Sequence, residues 1–368
     1  MVRLTRAQQQ ERTRAAVLAA AREEFAERGF AEAKVDRIAE RAELTRGAVY
    51  SNFPSKRALY LAVLVDLVEH TGTGKAPVSS PDPAEALGTF ARVWLERLPL
   101  LGDTPTSGHL RLRSLAGVLD EPARSALAQV TRLESLLLAS ALESRAATRT
   151  RQVRLAELVL TLLTGSGHLA DTAPGFGDPF DVARACERLA GIDLAEAWDP
   201  PHLPYVTPAQ RCEDSWVPPA ESPDEITGRR AGLDADGVIA VLGAGRLAAA
   251  EEVMRAAGQG DRVTVAVVTS APAEIGRLVR LRISDLTGCL RRVFAPEDWP
   301  RLHLVFDEDA RIASAIGAAA DDDTEDAVRV RAGTIVARAS GRGAGYAAAI
   351  AGDSATDSAA DRSGGAGR

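Results

Sequence analysis

Within eleven residues the chain sets Arg46, Tyr50, Asn52 and Lys56, four side chains rich in hydrogen-bond donors. Donors at this spacing suit the edges of base pairs and the oxygens of phosphates. A guanidinium such as Arg46 can bond two acceptors of one guanine, and the Lys56 ammonium serves a phosphate as a point charge. Gly47 has no side chain and admits close backbone approach, and Ala48 beside it is small. Other chemistry is thin. Gly243-Ala244-Gly245, followed by Ala248, completes G-x-G-x-x-A after the run Val238–Leu242, a pattern able to cradle a pyrophosphate at a helix N-terminus. Yet Val267-Val268-Thr269-Ser270 ends without the acid that would hold a ribose, and too few βα units follow. Cys186, Cys212 and Cys289 lie far apart, with no metal-like pairing to histidine, and Cys289 reads as a packing residue. With no Ser-His-Asp elbow, H-E-x-x-H or P-loop, the expectation is no catalytic residue, no cofactor, no metal and no enzyme activity; Asp321–Asp323 reads as a solvated loop.

Those donors need a scaffold. Arg6 to Arg28 has Val17, Ala21 and Phe25 at i, i+4, i+8, and Gly29 reads as a C-cap. Two short helices follow, Val35 to Ala42 and Arg46 to Asn52, separated by Glu43, Leu44 and Thr45, and a three-residue turn is what a helix-turn-helix requires. Thr45 caps the second of them, and Ser55 caps a further helix through Leu59, Val63 and Leu67. Val35, Ile38, Ala39, Leu44, Val49 and Phe53 recur at spacings that lock two crossed helices, so Arg46, Gly47, Ala48, Tyr50 and Asn52 are left to face a duplex. Lys34, at the entry to the first short helix, is a further candidate phosphate contact. Helical patterns continue at 83–101, 108–119, 122–145, 151–171 and 179–191. Prolines at 200, 201, 204, 208, 218, 219 and 223 mark 199–236 as a linker. Beyond it, apolar runs at 238–242, 263–268 and 302–306 alternate with helical patterns, and 328–330 with 334–339 form a candidate hairpin. The tail, 353–368, has too little apolar content to fold.

Length and charge agree with this division. A chain of 368 residues favours two to three domains. The formal net charge of −7 argues against indiscriminate nucleic-acid binding, but residues 1–60 hold twelve Lys/Arg against eight Asp/Glu, a local +4. No N-terminal signal pattern or long apolar window is present, so the expectation is a soluble cytoplasmic protein without membrane contact.

Gly29-Phe30, Val35 to Ala42, Leu44 to Tyr50, Asn52-Phe53, Pro54-Ser55-Lys56 and Leu59-Tyr60 together resemble the signature of the TetR (tetracycline-repressor-like) family of transcriptional regulators. The resemblance implies a mainly α fold: a helix-turn-helix domain over 1–60, then a helical effector-binding and dimerisation domain over 61–198. It implies a pseudo-palindromic double-stranded DNA operator read by a homodimer, repression as the family's repressors perform it, and release by a small-molecule effector. Tyr50 and Lys56 match family positions that contact backbone or base edges, and Thr45 falls within the same DNA-facing set with Lys34, Arg46, Gly47, Ala48 and Asn52. Three departures stand out: Glu43 where the turn usually has glycine, Asn52 where histidine is frequent, and Ala33-Lys34 in place of Thr-Thr. A non-glycine residue with positive φ at the turn costs on the order of 1 kcal/mol. Val153, Leu155, Leu158, Leu162 and Leu163, with Phe180, Val182 and Leu189, supply an apolar stripe suited equally to a dimer face or an internal core. Phe90, Trp94, Leu98, His109, Leu112 and Leu136 are the candidate lining of an apolar effector pocket. Residues 237–352 resemble a thioredoxin-like α/β domain of the redoxin type, without cysteines at 243–249 or a proline ahead of Thr334. The alternative is a DNA-binding module fused to a nucleotide-binding or redox enzyme in residues 231–352.

Overall fold

A computed structural model describes residues 5–71, 82–97, 115, 117–144, 151–173, 175–194, 196, 198–219, 223–258, 260–295 and 302–351. The expected tail at 353–368 lies outside them. Helix α1 spans Arg6–Glu32 and starts from a capping box in which the Thr5 hydroxyl accepts from the Gln8 amide while the Gln8 side chain accepts from Thr5. Gly29 sits at φ 70° and kinks the helix where a C-cap is expected, the chain then running on to Glu32. Helices α2 (Val35–Arg41), α3 (Arg46–Asn52) and α4 (Lys56–Thr71) complete the N-terminal unit.

The helical body adds α5 (Pro83–Leu95), α6 (Glu121–Glu143), α7 (Val153–Thr172) and α8 (Pro179–Leu189). Asp82, Asp120 and Asp178 each cap a helix that has proline in its first turn, a position where the missing N–H costs nothing. Helix α5 ends before the periodic pattern does, Glu96 and Arg97 forming a turn. Of the pattern at 108–119, residues 117–119 are not helical, because Gly117 takes φ 74°; most of the rest lies outside the described residues.

Strands β1 (Gln210–Ser215), β2 (Gly237–Gly243), β3 (Arg262–Val268), β4 (Leu302–Phe306), β5 (Glu325–Arg331) and β6 (Thr334–Ser340) form one mixed sheet in the order β1-β6-β5-β2-β3-β4. β2, β3 and β4 run parallel, with Val238 opposite Val263 and Val265 opposite Leu304. β5 pairs antiparallel with both β2 and β6, and β1 antiparallel with β6. Helices α9 (Ala250–Ala256), α10 (Arg277–Arg291), α11 (Arg311–Ile316) and α12 (Ala344–Ile350) complete this unit. Alternate residues of β2 serve opposite faces: Val238, Ala240 and Leu242 face one core, Ile239 and Val241 the other.

The segment at 199–236 is more than a linker. Its prolines exclude a central strand but leave room for β1 at the sheet edge. Trp216 is buried against the second face, its indole N–H donating to the Leu233 carbonyl at 2.7 Å. The two units also share a core. Helix α10 packs against α4 and α6, and one continuous apolar cluster runs from Val17 in α1 to Ala349 in α12.

Candidate nucleic-acid interface

The N-terminal unit is built around Phe25, Ile38, Val49, Phe53 and Tyr60, all fully or almost fully buried. Phe25 meets Tyr60 edge to face with ring centres 4.9 Å apart. Polar contacts fix the angle of α2. The buried carboxylate of Glu24 accepts from the Lys34 backbone amide at 3.2 Å, and Arg41 bonds Glu23 (3.1 Å) and Glu27 (2.5 Å) on α1. Neither Glu24 nor Arg41 stands out in the sequence, where a single acid inside an amphipathic helix leaves no mark.

The turn follows. The Leu44 amide bonds the Ala39 carbonyl, and Glu43 adopts φ 54°, the left-handed conformation expected where glycine is usual. The Thr45 hydroxyl accepts from the Ala48 amide at 3.2 Å and starts α3.

Helix α3 buries Val49 and turns Arg46, Gly47 and Tyr50 to solvent, with Ala48 half-buried. Arg46 lies 5.5 Å from the Tyr50 ring centre and is bonded to Asp36 at 3.2 Å, both partners well exposed. Asn52 is half-buried; its side-chain nitrogen donates to the Ala48 carbonyl at 2.9 Å and lies 3.5 Å from the Ser51 hydroxyl. Lys34 is exposed at the cap of α2. Lys56 is half-buried over the Phe30 ring at 4.9 Å and donates to the Ala31 carbonyl at 3.0 Å. Partial burial lowers its pKa from the ordinary lysine value. An ammonium has three donors, so that bond orients Lys56 and leaves two for an anion. Lys34, Thr45, Arg46, Gly47 and Tyr50 are exposed at the cap of α2, in the turn and on α3, while Ala48 and Lys56 are half-buried.

The residues expected to line an effector pocket behave differently. Phe90 is fully buried and Trp94 and Leu136 nearly so, all in the common core; Leu98, His109 and Leu112 lie outside the described residues. Beside them is a buried charge network: Arg282 of α10 bonds Glu134 of α6 at 2.7 Å, and Arg97 pairs with Asp285 of α10. Burial pushes the Glu134 carboxyl above the usual range, against the opposing pull of Arg282. On α7 and α8, Val153, Leu155 and Leu163 are core, Leu162, Val182 and Leu189 half-buried, and Leu158, Leu169 and Phe180 exposed.

The glycine-rich turn after β2 does not present a phosphate cradle. The Gly245 amide donates to the Asp322 carbonyl at 2.8 Å, and a Cβ on Gly245 would sit 2.7 Å from that oxygen. Gly243 is equally close to the backbone of Asp321 and Asp322. These glycines admit the chain's own acidic loop, so the nucleotide-binding alternative loses the space it needs. Among the described residues there is no cluster of three or more metal-type ligands, and no helix long and apolar enough to cross a membrane.

Residues 17–63 match the family model described as bacterial regulatory proteins, tetR family. The N-terminal unit is therefore a tetR-type helix-turn-helix domain. The chain is 39% identical over 97 residues to the HTH-type transcriptional regulator TtgR of Pseudomonas putida, and equally to the probable HTH-type transcriptional regulator ArpR of the same species. Each match covers 26% of this chain and 45% of the relative, so the chain spans under half the length of these relatives. Among solved structures, NalD, the secondary repressor of the MexAB-OprM multidrug efflux pump in Pseudomonas aeruginosa, is 24% identical with a TM-score of 0.34, covering 49% of this chain and 94% of its own.

Proposed function

We propose that this chain is a DNA-binding transcriptional regulator of the tetR type that reads a pseudo-palindromic operator as a homodimer and acts as a repressor. The observation that carries the reading is the solvent-facing set on α3 and its flanks, Arg46 and Tyr50 with Lys34 and Lys56, on a matched helix-turn-helix. In this reading α3 enters the major groove, Arg46 reads guanine, and Lys34 and Lys56 hold phosphates. Thr45, Gly47, Ala48 and Asn52 shape the approach. One such unit contacts too little DNA for tight specificity, which supports a dimer. Leu158, Leu169 and Phe180, 39%, 38% and 72% exposed, supply an apolar face for it on α7 and α8.

Release by a small-molecule effector belongs to the same proposal, with Phe90, Trp94, Leu98, His109, Leu112 and Leu136 as its seat. Because Phe90, Trp94 and Leu136 are closely packed, a ligand there has to part α5 from α6 and α10, and that movement would reach α4. The C-terminal unit is proposed to be a thioredoxin-like scaffold without thiol chemistry, a reading supported by the strand order β4-β3-β2-β5-β6 and by the absence of cysteine at 243–249. The test is selection of bound duplexes from a random pool, then a salt titration on the recovered site. A two-fold-symmetric site whose affinity falls steeply with salt is expected; recovery of no preferred sequence would overturn the reading.

A further inference from the structure

The loop that joins α3 to α4 is gripped from outside the helix-turn-helix. Between β3 and α10 lies a π-helical turn, Pro272–Gly276, and its Glu274 faces this loop. One Glu274 oxygen accepts from the Ser55 hydroxyl at 2.5 Å and the other from Arg57 at 3.1 Å. Arg57 also pairs with Asp120, the N-cap of α6. Arg277, at the start of α10, donates to the Ala58 carbonyl at 2.8 Å, and its guanidinium lies 5.4 Å from the Phe53 ring centre. Arg14 of α1 covers the same ring at 5.0 Å. Phe53, the residue that closes α3, is thereby held between α1 and the α/β unit.

The arrangement does more than bury surface. Apolar contact between α4 and α10 fixes their separation yet tolerates sliding, whereas charge-assisted bonds to Ser55, Arg57 and Ala58 fix orientation. Lys56, assigned above to a phosphate, lies between the two residues that Glu274 holds. The Ser55 hydroxyl also accepts from the Ala58 amide at 2.9 Å, so the group that caps α4 is the group tied to the α/β unit.

We propose that Glu274 and Arg277 are positioning residues for operator reading, setting the angle at which each DNA-reading head leaves the body and hence the half-site spacing that the dimer accepts. This rests on the DNA-reading function proposed above. A two-fold dimer reads half-sites about one helical turn, or a multiple of it, apart. A rigidly held head accepts one spacing, and a head whose α4 can shift against α10 accepts several.

The experiment takes the selected operator, varies the spacer between its half-sites by one to four base pairs, and measures the affinity of the full-length protein for each. The wild-type protein should prefer one spacer sharply. The double variant Glu274→Gln, Arg277→Ala should bind that spacer about tenfold more weakly, the loss of roughly two modest hydrogen bonds, and should discriminate poorly among the others. Arg277→Lys keeps a donor for Ala58 and should retain the sharp profile. Glu274→Gln and Ser55→Ala should not be additive, since they weaken the same bond. Should the double variant fail to fold by circular dichroism, Glu274→Gln alone carries the test. A spacer profile in the folded variants as narrow as in the wild type would overturn the positioning role alone; no binding to any duplex by the wild type would overturn it together with the function on which it rests.

Discussion

Replacing Arg282 with methionine would leave Glu134 as a charge inside the protein with its closest partner gone. Glu134 is 1% exposed and Arg282 lies 2.7 Å from it. Breaking a buried pair by removing one member typically costs about 3–5 kcal/mol. The lower end applies here, because the Arg282 side chain keeps 19% exposure and Arg97 still pulls on the carboxylate. For a chain of 368 residues sharing one core, a loss of about 3 kcal/mol corresponds to a fall of roughly 4 °C in Tm, readable by calorimetry. The dependence on pH gives a second check. The folded Glu134 pKa stands above its unfolded value, so the stability linked to its proton is full below the unfolded value and is lost as pH rises through the folded one. Without Arg282 the folded value rises further. The deficit of Arg282→Met against wild type should therefore shrink between pH 8 and pH 5, as the carboxyl takes its proton. Replacing both partners, Glu134→Leu with Arg282→Met, should recover most of the loss. A deficit under about 1 kcal/mol at pH 7, the size of a single hydrogen bond, would refute the reasoning, as would a deficit that grows on acidification.

Arg46→Ala should weaken operator binding by about tenfold to a hundredfold and relax the preference at one base pair, as a gel-shift series over point-substituted operators would show. Lys34→Ala should weaken all sequences alike and lower the slope of log affinity against log salt by about one. Phe180→Asp should shift the proposed dimer towards monomer in sedimentation velocity while leaving the thermal transition nearly unchanged, since Phe180 is 72% exposed. Gly245→Val should destabilise the α/β unit by about 1–3 kcal/mol in a denaturant titration, because the added atoms meet the Asp322 carbonyl. An unchanged midpoint there would mean that the acidic loop stands away from the turn.

The N-terminal unit was legible because its signals are local. Val17, Ala21 and Phe25 repeat at helical spacing and all three are fully buried; the Thr45 cap and the left-handed Glu43 follow from residues within four positions of them. Strands β2 to β4 were legible for the same reason, as β-branched runs between helical patterns. What escaped reading depends on partners far along the chain. Ser55 and Glu274 are 219 residues apart, and an isolated acid in a turn carries no period that would announce such a bond. β1 was hidden by the prolines on either side of it, Pro208 and Pro218, which are compatible with an edge strand but suggest a tether. At the candidate interface the sequence identified the donors and missed their present occupations. Arg46 is held by Asp36, a bond that a base contact would have to replace, whereas Lys56 can keep its bond to the Ala31 carbonyl and still offer two donors.

A division into a helical regulator and an appended α/β domain would require α10 to have a wet outer face, as a helix covering a free-standing sheet does. It has none of any breadth. Leu278, Val279, Leu281, Ile283, Leu286 and Leu290 are buried around most of its circumference. The charged residues that would mark its solvent side are engaged, Arg277 on Ala58 of α4, Arg280 near Glu69 of α4, and Arg282 on Glu134 of α6. A helix with that distribution is a shared wall: it packs on α4 and α6 and belongs to the same apolar cluster as Val265 and Leu304 of the sheet. Movement of the sheet that carries α10 with it must then be felt at α4, the helix that follows the helix-turn-helix. The fold thus gives the C-terminal unit a mechanical route to the interface that needs no ligand to pass between them.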